Sequence, residues 1–174
     1  TTAGLGVYEQ RTNYHAYPAS PTNWPSSKTF NGITATRIAT GTEYGFPYAD
    51  YSFVGTSTGV YIDLDIGGSS RTTAGNADTF TASMGAKMIG GSTAGLIGTG
   101  IVHNVIEETG SNVYFGQTGV AMPADGTYAR KSVSRPMSSG AATTARAVTI
   151  LNFNSGAAIN CTWRFYGPQF EKGA

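Results

Sequence analysis

The 174-residue chain carries 11 basic and 10 acidic residues, for a net charge of +1, and only 12% of it is charged against about 25% in an average soluble protein. Near-neutrality leaves no electrostatic footprint for nucleic acid or anionic lipid, and no apolar run reaches the roughly 18 residues of a membrane-spanning helix, so neither nucleic-acid binding nor membrane insertion is expected. A surface filled by Thr, Ser, Gly and Asn suits a neutral, hydrogen-bonding partner, and the length suits one domain over residues 1–174.

The early chain is rich in turn formers and aromatics. Pro18, Pro21 and Pro25 make residues 13–27 an extended loop of polyproline character, with Trp24 inside it. "GTEYGFPYADYSF" (41–53) adds Tyr44, Phe46, Tyr48, Tyr51 and Phe53, an aromatic density that disordered segments lack, so both segments are expected to be ordered against the domain. In "GVYIDLDIGG" (59–68), Val60, Ile62, Leu64 and Ile66 point one way and Tyr61, Asp63 and Asp65 the other, which predicts a strand with one core face and one wet face.

"DTFTASMGAKMIGG" (78–91) puts Phe80, Ala82, Met84, Ala86 and Met88 on one side, with Gly85 a bulge or close-packing point. "IVHNVIEETGSNVYFG" (101–116) reads as a hairpin turning near residues 109–112. "DGTYARKSVSR" (125–135) is extended up to Pro136, which lacks the ladder donor. "ARAVTILNF" (145–153) and "AINCTWRFYGPQF" (158–170) are joined by an Asn154-Ser155-Gly156 turn. In the second of them Cys161, Trp163 and Phe165 share the core face and Thr162, Arg164 and Tyr166 the other. The single Cys161 excludes an internal disulfide and reads as a small buried side chain, and the Asn160-Cys161-Thr162 sequon inside a buried strand is coincidental. With about eight to ten strands, no trusted helical window and no fixed repeat, the fold class is all-β: two antiparallel sheets packed as a jelly-roll sandwich.

"GLGVYEQRTNY" (4–14), Trp24 and the closing "YGPQFEKG" (166–173), read together, resemble a family of carbohydrate-binding-module-like jelly-roll domains. These occur in phage tail fibres and tail spikes and in head spikes of phage-like gene-transfer particles. Glu9, Arg11, Thr12 and Asn13 match the family's opening Glu/Arg-Thr-Asn motif, and Gly167, Gln169, Glu171 and Gly173 match its closing Gly-x-Gln-Leu-Glu-x-Gly motif. "TFTASMGAK" and "GTYARKSV" look like two interior strands of the family, with Tyr128 in place of its Trp. Gly6, where the family carries an aliphatic residue, is a departure, as is the missing extension after Ala174, which implies one module of a longer chain.

The resemblance implies binding of host surface or capsular polysaccharide at a virion, particle or extracellular surface, together with other subunits of a spike or fibre. It carries no list of binding residues. It also implies that the first and last strands are neighbours. Glu9, Arg11, Asn13, Gln169 and Glu171 would then form a structural clasp, Phe170 would face apolar surroundings, and Gly167-Pro168 would be an edge-strand kink.

Sugar recognition needs flat rings against pyranose C–H faces and planar polar groups for paired hydroxyls. Tyr61, Asp63 and Asp65 offer both on one strand face, at about 7 Å between alternate residues, and Trp24, Tyr44, Tyr48 and Tyr51 form a second, loop-borne set. A solvated outer face and a loop mini-core are the plain alternatives for the two sets. No catalytic function is expected. His15 and His103 each stand alone, no nucleophile or nucleotide motif is present, and Asp63, Asp65, Glu107 and Glu108 form no specific acid pair, with Glu107 and Glu108 facing opposite sides. No cofactor is expected. A structural calcium ion stays open through Asp50, Asp63, Asp65 or Asp78, although Ile66 follows Asp63-Leu64-Asp65 where a calcium loop has Asp-Gly. The alternative function is a structural tip or trimerisation module of a spike or fibre without a glycan site.

Overall fold

The computed structural model describes residues 12–68, 71–110 and 114–173. Eleven strands run through them: β1 (Ser27–Phe30), β2 (Ile33–Glu43), β3 (Phe46–Thr56), β4 (Tyr61–Leu64), β5 (Thr72–Thr73), β6 (Thr79–Gly91), β7 (Leu96–Glu108), β8 (Tyr114–Ala121), β9 (Ala129–Pro136), β10 (Thr144–Phe153) and β11 (Ala158–Lys172). A single 3₁₀ turn at Pro21–Asn23 is the helical element among the described residues.

The strands form two antiparallel sheets. One has the order β1-β2-β3-β11-β6-β9, the other β4-β10-β7-β8, with β5 paired to β10. Chain neighbours are therefore often not sheet neighbours, which is the crossing connectivity of a Greek-key sandwich. The period-two alternation fills the space between the sheets. Ile62 and Leu64 of β4, Leu151 and Phe153 of β10, and Cys161, Trp163 and Phe165 of β11 are all at or below 1% exposed. A second cluster around Phe80, Val105, Ala147 and Phe170 continues the core to the other end. Each large apolar side chain so buried contributes about 2–3 kcal/mol against exposure.

Four sequence expectations need correction. Val60 is 52% exposed because β4 begins at Tyr61, so the alternation starts one residue late. Trp24 is 2% exposed: the Pro-rich loop folds its indole into the core, where Nε1 donates to the Tyr17 carbonyl at 2.6 Å. Tyr51 is fully buried on the inward face of β3 and its hydroxyl donates to the Pro25 carbonyl at 2.7 Å. Burial pushes the Tyr51 phenol well above its ordinary value.

The fourth correction concerns Gly167-Pro168, which lies not on an edge but in β11, between β3 and β6. The ladder passes from Tyr166↔Gly85 to Gln169↔Ser83, so Gly167 and Pro168 bulge out and the missing Pro N–H falls where no rung is needed. Gly167 has a left-handed φ of 37°, and a Cβ there would come 2.9 Å from the Phe46 ring, so both backbone and space require glycine.

The described start of the chain is fastened to β11 beside this bulge. Asn13 Nδ2 donates to the Pro168 carbonyl at 3.1 Å, Asn13 Oδ1 accepts the Phe170 N–H at 3.0 Å, and Tyr14 N–H donates to the Phe170 carbonyl at 2.7 Å. Asn13 thus clasps backbone, whereas the Gln169 side chain accepts from Arg130 and Ser83 instead. Phe170 faces inward and stacks on Phe80 at 5.3 Å. Glu9 and Arg11 lie outside the described residues, and Glu171 pairs in register with Thr81 of β6.

Candidate functional site

Tyr61, Asp63 and Asp65 come together as one wall of a cleft of about 620 Å³ on the outer face of the smaller sheet. The floor follows from alternation on the central strands. Residues of β10 with odd numbers face the core, so Arg146, Val148, Ile150 and Asn152 face out, and Ile106 and Glu108 of β7 lie beside them through the Arg146↔Ile106 and Thr144↔Glu108 pairings. Tyr114 and Gln117 of β8 form the far wall. Three strand spacings separate β4 from β8, so the walls stand about 14 Å apart.

The near wall is extended by the other sheet. Phe30 of β1 lies with its ring 5.5 Å from that of Tyr61, Asn31 Nδ2 holds the Tyr61 carbonyl at 2.8 Å, and Lys28 Nζ lies 2.8 Å from Asp63 Oδ1. Tyr61 is 39% and Tyr114 56% exposed, so both ends of the cleft present aromatic surface to solvent.

A line of alternating charges crosses the floor. Arg146 is central: Nη1 lies 3.3 Å from Asp65 Oδ1 and 4.0 Å from Asp63 Oδ2, while Nε donates to Glu108 at 3.3 Å. Arg71 Nε closes the line on Glu108 Oε1 at 2.5 Å. Glu108 is almost fully buried, and a buried carboxylate is tolerable because two guanidiniums face it. Desolvation in the cleft, helped by the Asp63 charge, raises the Asp65 carboxyl above its ordinary value against the pull of Arg146. The carboxylates are thus locked as oriented hydrogen-bond acceptors. Sequence reading finds Tyr61, Asp63 and Asp65 by alternation; Arg71, Glu108, Tyr114, Gln117, Arg146 and Asn152 carry no local signal for joining them.

Glu107 points to the other side of β7 and is fully buried. Burial pushes its carboxyl up, but the Ser139 N–H, Arg135 and the Ser138 N–H outweigh that and hold it below the ordinary range. Arg135 Nη2 lies 2.6 Å away, so Glu107 ties the loop after β9 to β7 and takes no part in the cleft.

The aromatics expected on loops divide, and two of them, Tyr48 and Tyr51, lie in strand β3. Trp24 and Tyr51 are core, as described above, whereas Tyr44 and Tyr48 lie on the outer face of the larger sheet, away from the cleft. Tyr48 is covered by the Arg164 guanidinium, 3.8 Å above its ring. Tyr44 is 59% exposed and leans on Tyr128 at 4.7 Å. Glu43 accepts from the Tyr166 hydroxyl at 2.6 Å, from Arg164 at 2.9 Å and from Lys87 at 3.0 Å, and these bonds, Tyr166 first, lower its pKa to about 2.

The acidic residues weighed for calcium do not converge. Asp50 is held by Arg164 and Asp78 by Lys172, while Asp63 and Asp65 face Lys28 and Arg146 in the cleft. Among the described residues no three His, Cys, Asp or Glu side chains gather as a metal site, and no helix is long and apolar enough to cross a membrane.

Fold and cleft together define the class: an all-β sandwich of two antiparallel sheets with an open cleft on the outer face of the smaller one. No family model and no curated protein matches the chain by sequence. Among solved structures it is similar to the enzymatically active domain of bacteriophage CBA120 tailspike protein 4 (TM-score 0.55, 13% identity, covering 89% of this chain and 20% of that one). It is similar also to the arabinose-bound MgGH51 α-L-arabinofuranosidase (TM-score 0.56, 11% identity, 97% of this chain and 27% of that one). A third likeness is the CBM22-1 xylan-binding domain of Paenibacillus barcinonensis Xyn10C (TM-score 0.49, 10% identity, 93% and 92%). The chain spans 20% and 27% of the first two proteins, and what it shares with them is the fold.

Proposed function

We propose that this domain is a non-catalytic carbohydrate-binding module that takes a host surface or capsular polysaccharide across the cleft of the smaller sheet, displayed on a phage or phage-like particle. The observation that carries the reading is the cleft itself: exposed tyrosines at both ends and fixed, paired planar groups between them. Tyr61 and Tyr114 supply faces on which pyranose rings stack, and Asn152, Gln117, Asp63 and Asp65 supply donors and acceptors for hydroxyls. Because Arg146, Arg71 and Lys28 already hold the carboxylates, no rearrangement precedes binding, and pre-organised polar groups lower its entropic penalty. The same pairing argues against acid–base chemistry, since Asp63, Asp65 and Glu108 are held by cations instead of standing opposite one another across a bond.

The terminal motifs support the particle setting, where several copies on a spike or fibre, as in a homotrimer, would turn weak single sites into firm attachment. Isothermal titration with oligosaccharide fragments of host polysaccharides tests the reading. Binding by the intact domain that falls at least about tenfold, or 1.4 kcal/mol, in Tyr61→Ala and in Tyr114→Ala is the expected result. Unchanged affinity in both variants would remove the cleft from consideration, and release of new reducing ends during incubation would show an enzyme instead.

A further inference from the structure

Tyr44 stands where backbone chemistry disfavours a tyrosine. The larger sheet has two hairpin turns built on consecutive left-handed residues: Asn31 (φ 50°) with Gly32 (φ 76°), and Tyr44 (φ 54°) with Gly45 (φ 77°). Such turns select Asn-Gly or Asp-Gly, because a larger side chain crowds its own backbone at positive φ. The first turn has the preferred pair. The second holds an aromatic ring that the core does not need, since Tyr44 is 59% exposed. Strained residues persist where the surroundings fix them, and an observed outlier of this kind is grounds for a functional hypothesis.

The surroundings do fix it. The Tyr44 ring lies 4.7 Å from Tyr128 and 5.9 Å from Tyr166, with Lys87 Nζ 5.5 Å from its centre. Lys87 and Arg164 are bound to Glu43, and Arg164 also to Asp50, so the charges under the rings are neutralised within the sheet. Farther along the face, Arg130 lies over Phe46 at 4.9 Å and donates to Gln169, beside a shallow hollow of about 170 Å³ lined in part by Phe46, Pro168 and Gln169. The face thus offers a raised aromatic ring, a fixed amide nearby and, beside that amide, the Arg130 guanidinium held by the neutral oxygens of Gly167, Ser83 and Gln169.

We propose that Tyr44, seated on Tyr128, is a second carbohydrate-binding platform that stacks a pyranose ring, on the opposite side of the sandwich from the cleft. It is independent of the cleft in geometry and shares with it the reading that the ligand is a polysaccharide. The two outer faces point away from each other across sheets about 10 Å apart, so one short oligosaccharide cannot fill both. A domain with two such faces cross-links a polymer.

The test uses the full chain titrated with cellohexaose, xylohexaose and maltohexaose and followed by NMR at the tyrosine rings, with the wild type compared with Tyr44→Asn and Tyr61→Ala. Asparagine suits a left-handed turn position, so Tyr44→Asn is expected to melt no lower than wild type. It should still weaken binding read at the Tyr128 signal at least tenfold and leave the Tyr61 and Tyr114 signals responding. Perturbation at Tyr44 and Tyr128 that survives Tyr61→Ala supports the platform, and does so even if the cleft stays silent. Perturbation confined to the cleft overturns it, as does no perturbation at all. A Tyr44→Asn variant that melts several degrees lower overturns it too, since Tyr44 would then serve to cover Tyr166.

Discussion

Lowering the pH below about 6 should strip stability from this sandwich through two buried histidines. His15 and His103 are 4% and 1% exposed, and burial lowers their pKa values from 6.5 to about 4 and about 3. His103 Nδ1 meets the Thr149 hydroxyl at 3.2 Å, and burial holds the imidazole neutral. A histidine depressed in the folded state stabilises fully above its unfolded pKa, and that stability is lost as pH falls through the folded value, because the unfolded chain takes up the proton first. Each tenfold difference in proton affinity is worth about 1.4 kcal/mol, so the two sites amount to about 3 and about 5 kcal/mol as upper figures. A domain of ordinary stability has about 5–15 kcal/mol in all. Urea unfolding between pH 7 and pH 4.5 should therefore show a slope approaching about 2.7 kcal/mol per pH unit below pH 6, twice the single-proton value. His103→Gln should halve that slope. A stability that stays flat between pH 6.5 and 4.5, or a slope unchanged by His103→Gln, would refute the reasoning.

Three further outcomes follow from the packing. Trp24→Ala should destabilise by about 3–5 kcal/mol, read from urea midpoints, because it empties a core position while binding to the isolated cleft stays intact. Asn13→Ala removes both side-chain hydrogen bonds that fasten the chain start to β11, and a loss of about 1–3 kcal/mol is expected in the same assay, with accelerated amide exchange at Phe170. Glu107→Ala strands Arg135 and two backbone N–H groups, so a loss of about 3–5 kcal/mol with a loosened loop at Ser138 and Ser139 should appear in limited proteolysis.

The strands of the core are readable in the sequence because one face of each is buried, which enforces alternation. β4, β6, β10 and β11 are the clearest, and Cys161, Trp163 and Phe165 take the inward face that their spacing dictates. β2 is harder to see. Its run Ile33–Glu43 is mostly exposed, near one edge of the larger sheet, so nothing forces an apolar period on it. Aromatics on loops misled for a related reason. Trp24 and Tyr51 resemble Tyr44 in local context, yet their burial depends on how the Pro-rich loop closes over β3, a tertiary fact without a sequence period. Pro168 misled because proline in a central strand is excluded only where a rung exists, and the bulge removes the rung.

The cleft was legible in one of its walls. Tyr61, Asp63 and Asp65 share a face by alternation alone, but their partners come from β7, β8 and β10, and Arg71 from beside β5. The sheet order β4-β10-β7-β8 brings residues 61 and 146, some 85 positions apart, to one surface. Only topology supplies that. The same topology separates Tyr44 from Tyr61, although both read as exposed aromatics beside acids.

The most direct measurement of the central claim is a crystal of the domain soaked with an oligosaccharide fragment of host polysaccharide. The account predicts sugar density across the outer face of β4, β10, β7 and β8, with rings against Tyr61 and Tyr114 and hydroxyls on Asp63, Gln117 or Asn152. Density elsewhere with an empty cleft, from a fragment that titration shows to bind, would contradict it.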